Sequence, residues 1–114
     1  LFTDNCPVYD AIVVGGGQAG LSMGYRLKRN GLRYLILNAG EEPTGSWPNY
    51  YDSLVLFSPA EYSSLPGMRF PGDPAHYPQR DEVAAYLQEY ARHFALPVIN
   101  NTRITNIKQE GGLF

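Results

Sequence analysis

The 114-residue sequence has a single cysteine, Cys6. One cysteine closes no disulfide within the chain and forms no CxxC pair. That excludes a disulfide-stapled scaffold and a dithiol redox centre built from these residues. No histidine or acidic residue is placed to activate Cys6, so it reads as an inert thiol. Long apolar runs are also missing. The longest purely aliphatic one, Ala11 to Val14, is far short of the roughly 20 residues that span a bilayer, so no membrane association is expected. No basic stretch leads into an apolar one near the start, and no signal peptide is visible. Basic charge is scarce and scattered. Beyond Arg26, Lys28, Arg29 and Arg33 there is no cluster, and the formal net charge is −2. Nucleic-acid binding calls for a basic face, so no nucleic-acid partner is expected. Histidine is limited to His76 and His93, and no metal site is expected. The expected location is the cytoplasm.

What is present is a composition ordinary for a globular protein. Its length suits one small domain and not two complete nucleotide-binding domains. Residues 1–7 are polar, end in Pro7 and read as a lead-in arm; 8–114 read as one domain segment. The chain begins on Leu1 and ends on Gly111-Gly112-Leu113-Phe114, which looks like a hairpin turn. The expectation is a segment of a longer polypeptide.

Val8 to Val14 is short, β-branched and nearly all apolar, the pattern of a strand buried on both faces of a parallel sheet. Gly15 to Gly17 breaks it. Ala19 to Asn30 reads as a helix, with Gly20, Leu21, Gly24, Tyr25 and Leu27 at helical spacing. Arg26, Lys28 and Arg29 fall where the helix dipole favours cations, and Asn30-Gly31 supplies the stop. Gly24 in the interior costs about 1 kcal/mol relative to Ala, which implies close packing on a sheet. Tyr34 to Leu37 is a second buried strand, completing a βαβ unit of the length that binds mononucleotides. Ala39 to Pro78 holds most of the prolines, the only Trp and many tyrosines. It reads mostly as loop, with a strand candidate at Ser53 to Phe57. Its length points to function and its aromatic content away from disorder. Asp81 to Phe94 is an amphipathic helix with Val83, Tyr86, Leu87, Tyr90 and Phe94 on its apolar stripe. His93 in its last turn reads as structural, whereas His76 falls in a loop. Val98-Ile99 and Thr102 to Lys108 read as strands.

The chemistry rests on Gly15-x-Gly17-x-x-Gly20. Gly15 permits the tight turn, Gly17 lets the backbone approach a pyrophosphate, and Gly20 lets the helix pack on the strand. The helix N-terminus, opening on Gln18 and Ala19, offers N–H groups and a positive dipole end to phosphates. Gly16 has no separate role in this reading. The motif alone is weak, but strand, helix and second strand surround it in the required order. One position departs from the pattern. The second strand ordinarily ends in Asp or Glu, which accepts bonds from ribose hydroxyls; here Asn38 stands there, followed by Ala39. Asn38 still offers a carbonyl acceptor. Either the ribose is held by fewer bonds, or Glu41 or Glu42 contributes; simple solvation of those two glutamates is the other reading.

Beyond the Gly-rich turn the chain resembles the flavin-containing monooxygenases and their bacterial relatives, from about Tyr9 to Lys108. A GGxW-like motif reads Thr44-Gly45-Ser46-Trp47, with Thr44 in place of the first Gly. A tyrosine-rich turn, the run Ser53-Leu54-Val55-Leu56-Phe57-Ser58-Pro59 and the stretch Phe70-Pro71-Gly72 follow. The helix opening from Tyr77 to Phe94 completes the likeness. The resemblance implies an α/β, Rossmann-like FAD-binding domain with a parallel sheet, the amino-terminal part of a flavoprotein with two dinucleotide-binding domains. The NAD(P)H domain, with its second GxGxxG, is not in this sequence.

By that resemblance the cofactor is FAD, with NADPH or NADH as co-substrate. Gly15, Gly17, Gln18, Ala19 and Gly20 would hold the pyrophosphate, with Asn38 and Ala39 near the adenosine ribose. Gly45, Ser46 and Trp47 would border the ribityl chain and flavin ring, and Leu56, Phe57 and Ser58 would lie near that ring. Backbone at Ile104 would reach the adenine. The implied reaction is oxygenation of a small nitrogen-, sulfur- or ketone-containing substrate, with the cofactor carrying the chemistry and no catalytic side chain identified in this segment. Partners would be the remainder of the same polypeptide and a second copy in a homodimer. Phe57 stands where the eukaryotic-type enzymes have an Asn, which keeps open a flavin oxidase or reductase without oxygen transfer. A non-catalytic or partner-dependent dinucleotide-binding module is the other alternative, as is an NAD(P)-binding protein without flavin.

Overall fold

The computed structural model describes residues 7–114. Cys6 and the lead-in arm before Pro7 lie outside the described residues. Strand β1 (Ala11–Val14) begins three residues later than its apolar pattern suggested. Helix α1 runs Gln18–Arg29 and β2 covers Tyr34–Leu37. Helix α2 (Arg80–His93) and the two-residue strand β3 (Val98–Ile99) follow the long connection. The three strands form one parallel sheet in the order β1-β2-β3, with Val13 opposite Ile36 and Ile36 opposite Val98. This is the α/β architecture expected of a Rossmann-like domain.

Strand alternation assigns each residue to a face. Ala11, Val13, Tyr34, Ile36 and Val98 share the face that packs into the hydrophobic core, where Leu21, Tyr86, Leu87 and Tyr90 of the helices are buried. The opposite face carries Ile12, Val14 and Ile99, which are about half exposed. The expectation that β1 is buried on both faces is therefore corrected: the described residues supply helices for one face only. Thr102 to Lys108 is not a strand either. None of the described strands pairs with it, and an extended segment without a neighbour has no ladder to join. Ser53 to Phe57 contributes only a single antiparallel bridge, Val55 with Gln79. The C-terminal turn is as expected: Glu110 and Leu113 exchange both backbone bonds around Gly111 and Gly112, each at positive φ.

Both helices end in the same hydrogen-bonded motif. After α1, Gly31 sits at φ 68°, its N–H donating to the Lys28 carbonyl while Leu32 N–H donates to Leu27. After α2, Ala95 takes that place at φ 50°, with Leu96 N–H donating to Ala91. Glycine adopts this conformation freely, whereas a Cβ is strained there.

The irregular segment Ala39–Pro78 is pinned by the tyrosines of α2. Tyr90 hydroxyl donates to the Pro66 carbonyl at 2.6 Å, and Tyr86 hydroxyl donates to Met68 and accepts from Leu65 N–H at 2.8 Å. Phe70 packs on Tyr86 with ring centroids 4.7 Å apart, and Tyr25 and Tyr90 each meet Phe94 edge-on at 4.8 and 5.0 Å. At the start of α2, Arg80 bonds the Tyr50 carbonyl and the Asp52 carboxylate, both at 2.7 Å. Glu82 reaches back to the Gln79 N–H at 3.3 Å and meets His76 Nε2 at 2.6 Å. The loop is thus held by polar tips on an apolar stripe, an arrangement suited to tyrosine.

Two outcomes follow from this packing. Ala95→Gly is expected to stabilise the fold by about 1 kcal/mol, measured by urea unfolding, because it removes the left-handed strain. Burial pushes the Tyr34, Tyr86 and Tyr90 hydroxyls upward from the ordinary tyrosine value. Their neutral forms therefore support the fold fully below about pH 10, and that support is lost as pH rises through their folded values. An ultraviolet alkaline titration should show exposed tyrosines ionising first and these three only at higher pH, together with unfolding.

Candidate dinucleotide site

β1 delivers the chain to Gly15, whose N–H still donates to the Leu37 carbonyl at 2.8 Å and so continues the sheet ladder. Gly15 then turns with φ 106°, a region closed to most side chains. α1 starts at Gln18 with Gly17 as its N-cap, and its first internal bond runs from Leu21 N–H to the Gly17 carbonyl. The N–H groups of Gln18, Ala19 and Gly20 have no intrahelical acceptor and face the open end of the helix dipole. A Cβ on Gly20 would lie 1.9 Å from the Gly15 carbonyl oxygen and 3.4 Å from Val13 Cγ1. α1 can therefore reach this depth against β1 only without a side chain there. Gly24 works similarly one turn on, where a Cβ would lie 2.6 Å from Ile36 Cδ1.

The loop after β2 closes the other side. Gly45 turns at φ 60°, and a Cβ on it would stand 3.1 Å from Gly17 Cα. Ser46 leads into a 3-10 turn, Trp47–Asn49. The Trp47 indole N–H donates to Gln18 Oε1 at 3.0 Å, and its ring meets Tyr50 edge-on at 5.3 Å. Together Val14, Gly15, Gly17, Gln18, Ala19, Gly20, Gly45, Ser46, Trp47 and Tyr50 line a concavity of about 320 Å³. That is near the lower end of ligand-site volumes. A larger concavity of about 750 Å³ lies along Val8, Ile12, Val14, Ile104, Ile107 and Phe114. It marks the uncovered sheet face, and no helix N-terminus opens into it.

The Gly-rich turn and Gly45-Ser46-Trp47, separated by two elements in sequence, thus meet around one concavity. Asn38 lies behind it, buried against Gly16. Ala39 is exposed at the head of the following loop. Leu56, Phe57 and Ser58 lie outside the concavity. Leu56 is half-buried against the core, Phe57 is fully exposed, and the Ser58 hydroxyl bonds that of Ser63 at 3.2 Å. Ile104 lines the larger groove instead. Two contributors were not singled out from sequence. Tyr50 closes the mouth beside Trp47, and the tyrosine-rich turn was its only signal. Gly16 has a role after all: a Cβ there would lie 2.9 Å from Asn38 Cγ.

A parallel βαβ unit with this turn at the strand-to-helix junction defines a dinucleotide-binding protein of the α/β class. Residues 12–114 match the family described as pyridine nucleotide-disulphide oxidoreductase, and the chain belongs to that family. The family's name does not carry a dithiol to this segment, whose one cysteine is Cys6. An uncharacterized CzcO-like oxidoreductase of Geobacillus kaustophilus is 46% identical over 107 residues, covering 94% of this chain and 31% of that protein. A flavin-containing monooxygenase from Stenotrophomonas maltophilia superposes with a TM-score of 0.86 at 48% identity, covering 90% of this chain and 31% of that one. A steroid monooxygenase in its oxidized form bound to NADP superposes at 0.76 with 28% identity, over 85% of this chain and 20% of that one. The chain spans about a third of the length of the first two relatives.

The geometry separates two glycines. Gly20→Ala forces Cβ onto a backbone oxygen and is expected to destabilise by about 1–3 kcal/mol, with loss of dinucleotide binding. Gly24→Ala meets side chains and no backbone, Ile36 Cδ1 at 2.6 Å and the Tyr34 ring at 3.4 Å, so the buried neighbours must shift slightly while the helix regains about 1 kcal/mol of propensity. It should be much milder in the same urea-unfolding measurement.

Proposed function

We propose that this chain is the FAD-binding part of a flavin-dependent, NAD(P)H-using oxidoreductase that oxygenates a small nitrogen-, sulfur- or ketone-containing substrate. The observation that carries this reading is the convergence of the Gly15–Gly20 turn and Gly45-Ser46-Trp47 on one concavity. Its depth depends on positions where a Cβ would clash. The donor set fits the group. Unpaired N–H groups at the start of α1 suit a pyrophosphate, and Trp47 with Tyr50 gives an aromatic wall beside it for a flat heterocycle. FAD bound there would supply the redox chemistry. The residues of this chain bind and orient it: Gln18 sets the Trp47 ring by its hydrogen bond, and Gly17 and Gly45 hold the two walls together. The likeness to the Stenotrophomonas flavin-containing monooxygenase supports oxygenation, and the NADP-bound steroid monooxygenase supports a nicotinamide co-substrate. The bare sheet face at Ile12, Val14 and Ile99 supports a further part of the same polypeptide packing against it. Among the described residues no helix is long and apolar enough to cross a membrane, and a cytoplasmic location with a homodimer as the assembly belongs to this proposal.

A second reading, flavin reduction without oxygen transfer, is favoured by Phe57. It stands where the eukaryotic-type enzymes have an Asn, and its ring, fully exposed outside the concavity, brings no hydrogen-bond donor to the site. One set of measurements decides between the two. The longest natural polypeptide carrying this segment should purify yellow, with a flavin absorption spectrum, and FAD should quench the emission of Trp47. NADPH or NADH under air should bleach and then restore the colour. Oxygenated product with a substrate amine, sulfide or ketone supports oxygenation, and peroxide alone supports the second reading. A colourless protein that gains no flavin on reconstitution overturns both.

A further inference from the structure

Asn38 occupies the end of β2, where a carboxylate is the usual ribose ligand, and its surroundings call for an amide. The residue is buried, at 6% exposure. Its main chain joins two segments: the N–H donates to the Ile99 carbonyl at 2.9 Å, and the carbonyl accepts from Thr102 N–H at 2.8 Å. Its side-chain Nδ2 donates to the Glu42 carbonyl at 2.8 Å and to Asn100 Oδ1 at 3.0 Å, with the Gly40 carbonyl at 3.4 Å. A primary amide has two N–H bonds, and the two shorter contacts use both. A carboxylate has none. Asp at this position would set a negative charge against three oxygen acceptors. The Asn100 carboxamide could rotate to donate, but the two carbonyls are main-chain and cannot.

The same two carbonyls organise the loop. Glu42 also accepts from Thr44 N–H at 2.9 Å, and Gly40 accepts from Asn101 N–H at 2.8 Å, with Asn101 in the left-handed region at φ 55°. The 40–44 loop is therefore anchored from beneath by Asn38 and Asn101, and it carries Gly45 to its close approach on Gly17. On its other side the Asn38 side chain lies against Gly16, whose Cβ would stand 3.0 Å from Oδ1.

We propose that Asn38 is a positioning residue whose Nδ2 clamps the 40–44 loop onto the dinucleotide concavity from behind. Restoring the usual acid would then weaken dinucleotide binding rather than strengthen it. This rests on the FAD reading above for the ligand, but the clamp itself is a property of the protein without ligand.

The test uses the longest natural polypeptide carrying this segment, stripped of nucleotide, as wild type, Asn38→Asp and Asn100→Ala. FAD affinity is titrated by flavin fluorescence at pH 8 and pH 5.5, and amide hydrogen exchange is followed at Thr44 and Asn101 before FAD is added. Asn38→Asp is expected to raise the FAD Kd at least about tenfold at pH 8. Several-fold of that loss should return at pH 5.5, because burial against oxygen acceptors raises the introduced carboxyl above its ordinary range and its protonated form regains one donor; wild type and Asn100→Ala should lack this recovery. Asn100→Ala should weaken binding by a smaller factor, and Thr44 exchange should quicken in both variants. Binding in Asn38→Asp as tight as wild type or tighter overturns the proposal, as does unchanged exchange at Thr44. If Asn38→Asp does not fold, Asn100→Ala decides by the same exchange comparison. If wild type takes up no FAD, the flavin reading fails and hydrogen exchange alone judges the clamp.

Discussion

The whole arrangement depends on one close approach, that of α1 to β1 at Gly20. No side chain separates the helix from the Gly15 carbonyl, where a Cβ would sit 1.9 Å away. That contact sets the depth of α1 on the sheet, and through it the direction in which the helix N-terminus points. The free N–H groups, the dipole end and the Gln18 side chain are all placed by it. Gln18 in turn fixes Trp47, so the aromatic wall of the concavity inherits its position from the glycine. A larger residue at position 20 would alter more than local packing, because the second wall is tied to the first.

The opposite wall is held by a different physics. The Ala39–Pro78 segment has almost no regular structure of its own, yet it is ordered against α2. Buried tyrosines offer a large apolar area and a single polar tip, and the tips of Tyr86 and Tyr90 satisfy backbone groups of Leu65, Pro66 and Met68. Each bond removes a desolvation cost that a buried loop would otherwise carry. At the near end of the segment the Asn38 amide does the same for Gly40 and Glu42. The site is thus a rigid glycine turn facing a loop stitched down by side chains.

Much of this was legible in the chain. Tyr34–Leu37 and Val98–Ile99 matched their apolar runs residue for residue, and both helices were placed to within a residue because stripe, charge and stop signals agreed. The misreadings share a cause. Val8 to Val14 reads as buried on both faces and Thr102 to Lys108 reads as a strand, yet a local pattern records a preference without recording which neighbour is available to cover or pair with it. Asn38 reads in sequence as a departure from an acid, but its bond to Asn100, 62 residues away, leaves no periodic trace. The Gly16 role was hidden for the same reason, since its neighbour is the Asn38 side chain.

The sequence by itself determined the βαβ unit, the glycine turn and the family likeness, because these depend on local spacing and on backbone freedom at particular residues. Tertiary structure alone decided that Gly45 and Trp47 come back to face that turn, that Tyr50 closes its mouth, and that Phe57 and Ile104 lie elsewhere. It also decided that the amide of Asn38 is used by the protein itself. Such assignments depend on which distant acceptor lies within 3 Å of a donor, and only the packed chain brings the two together.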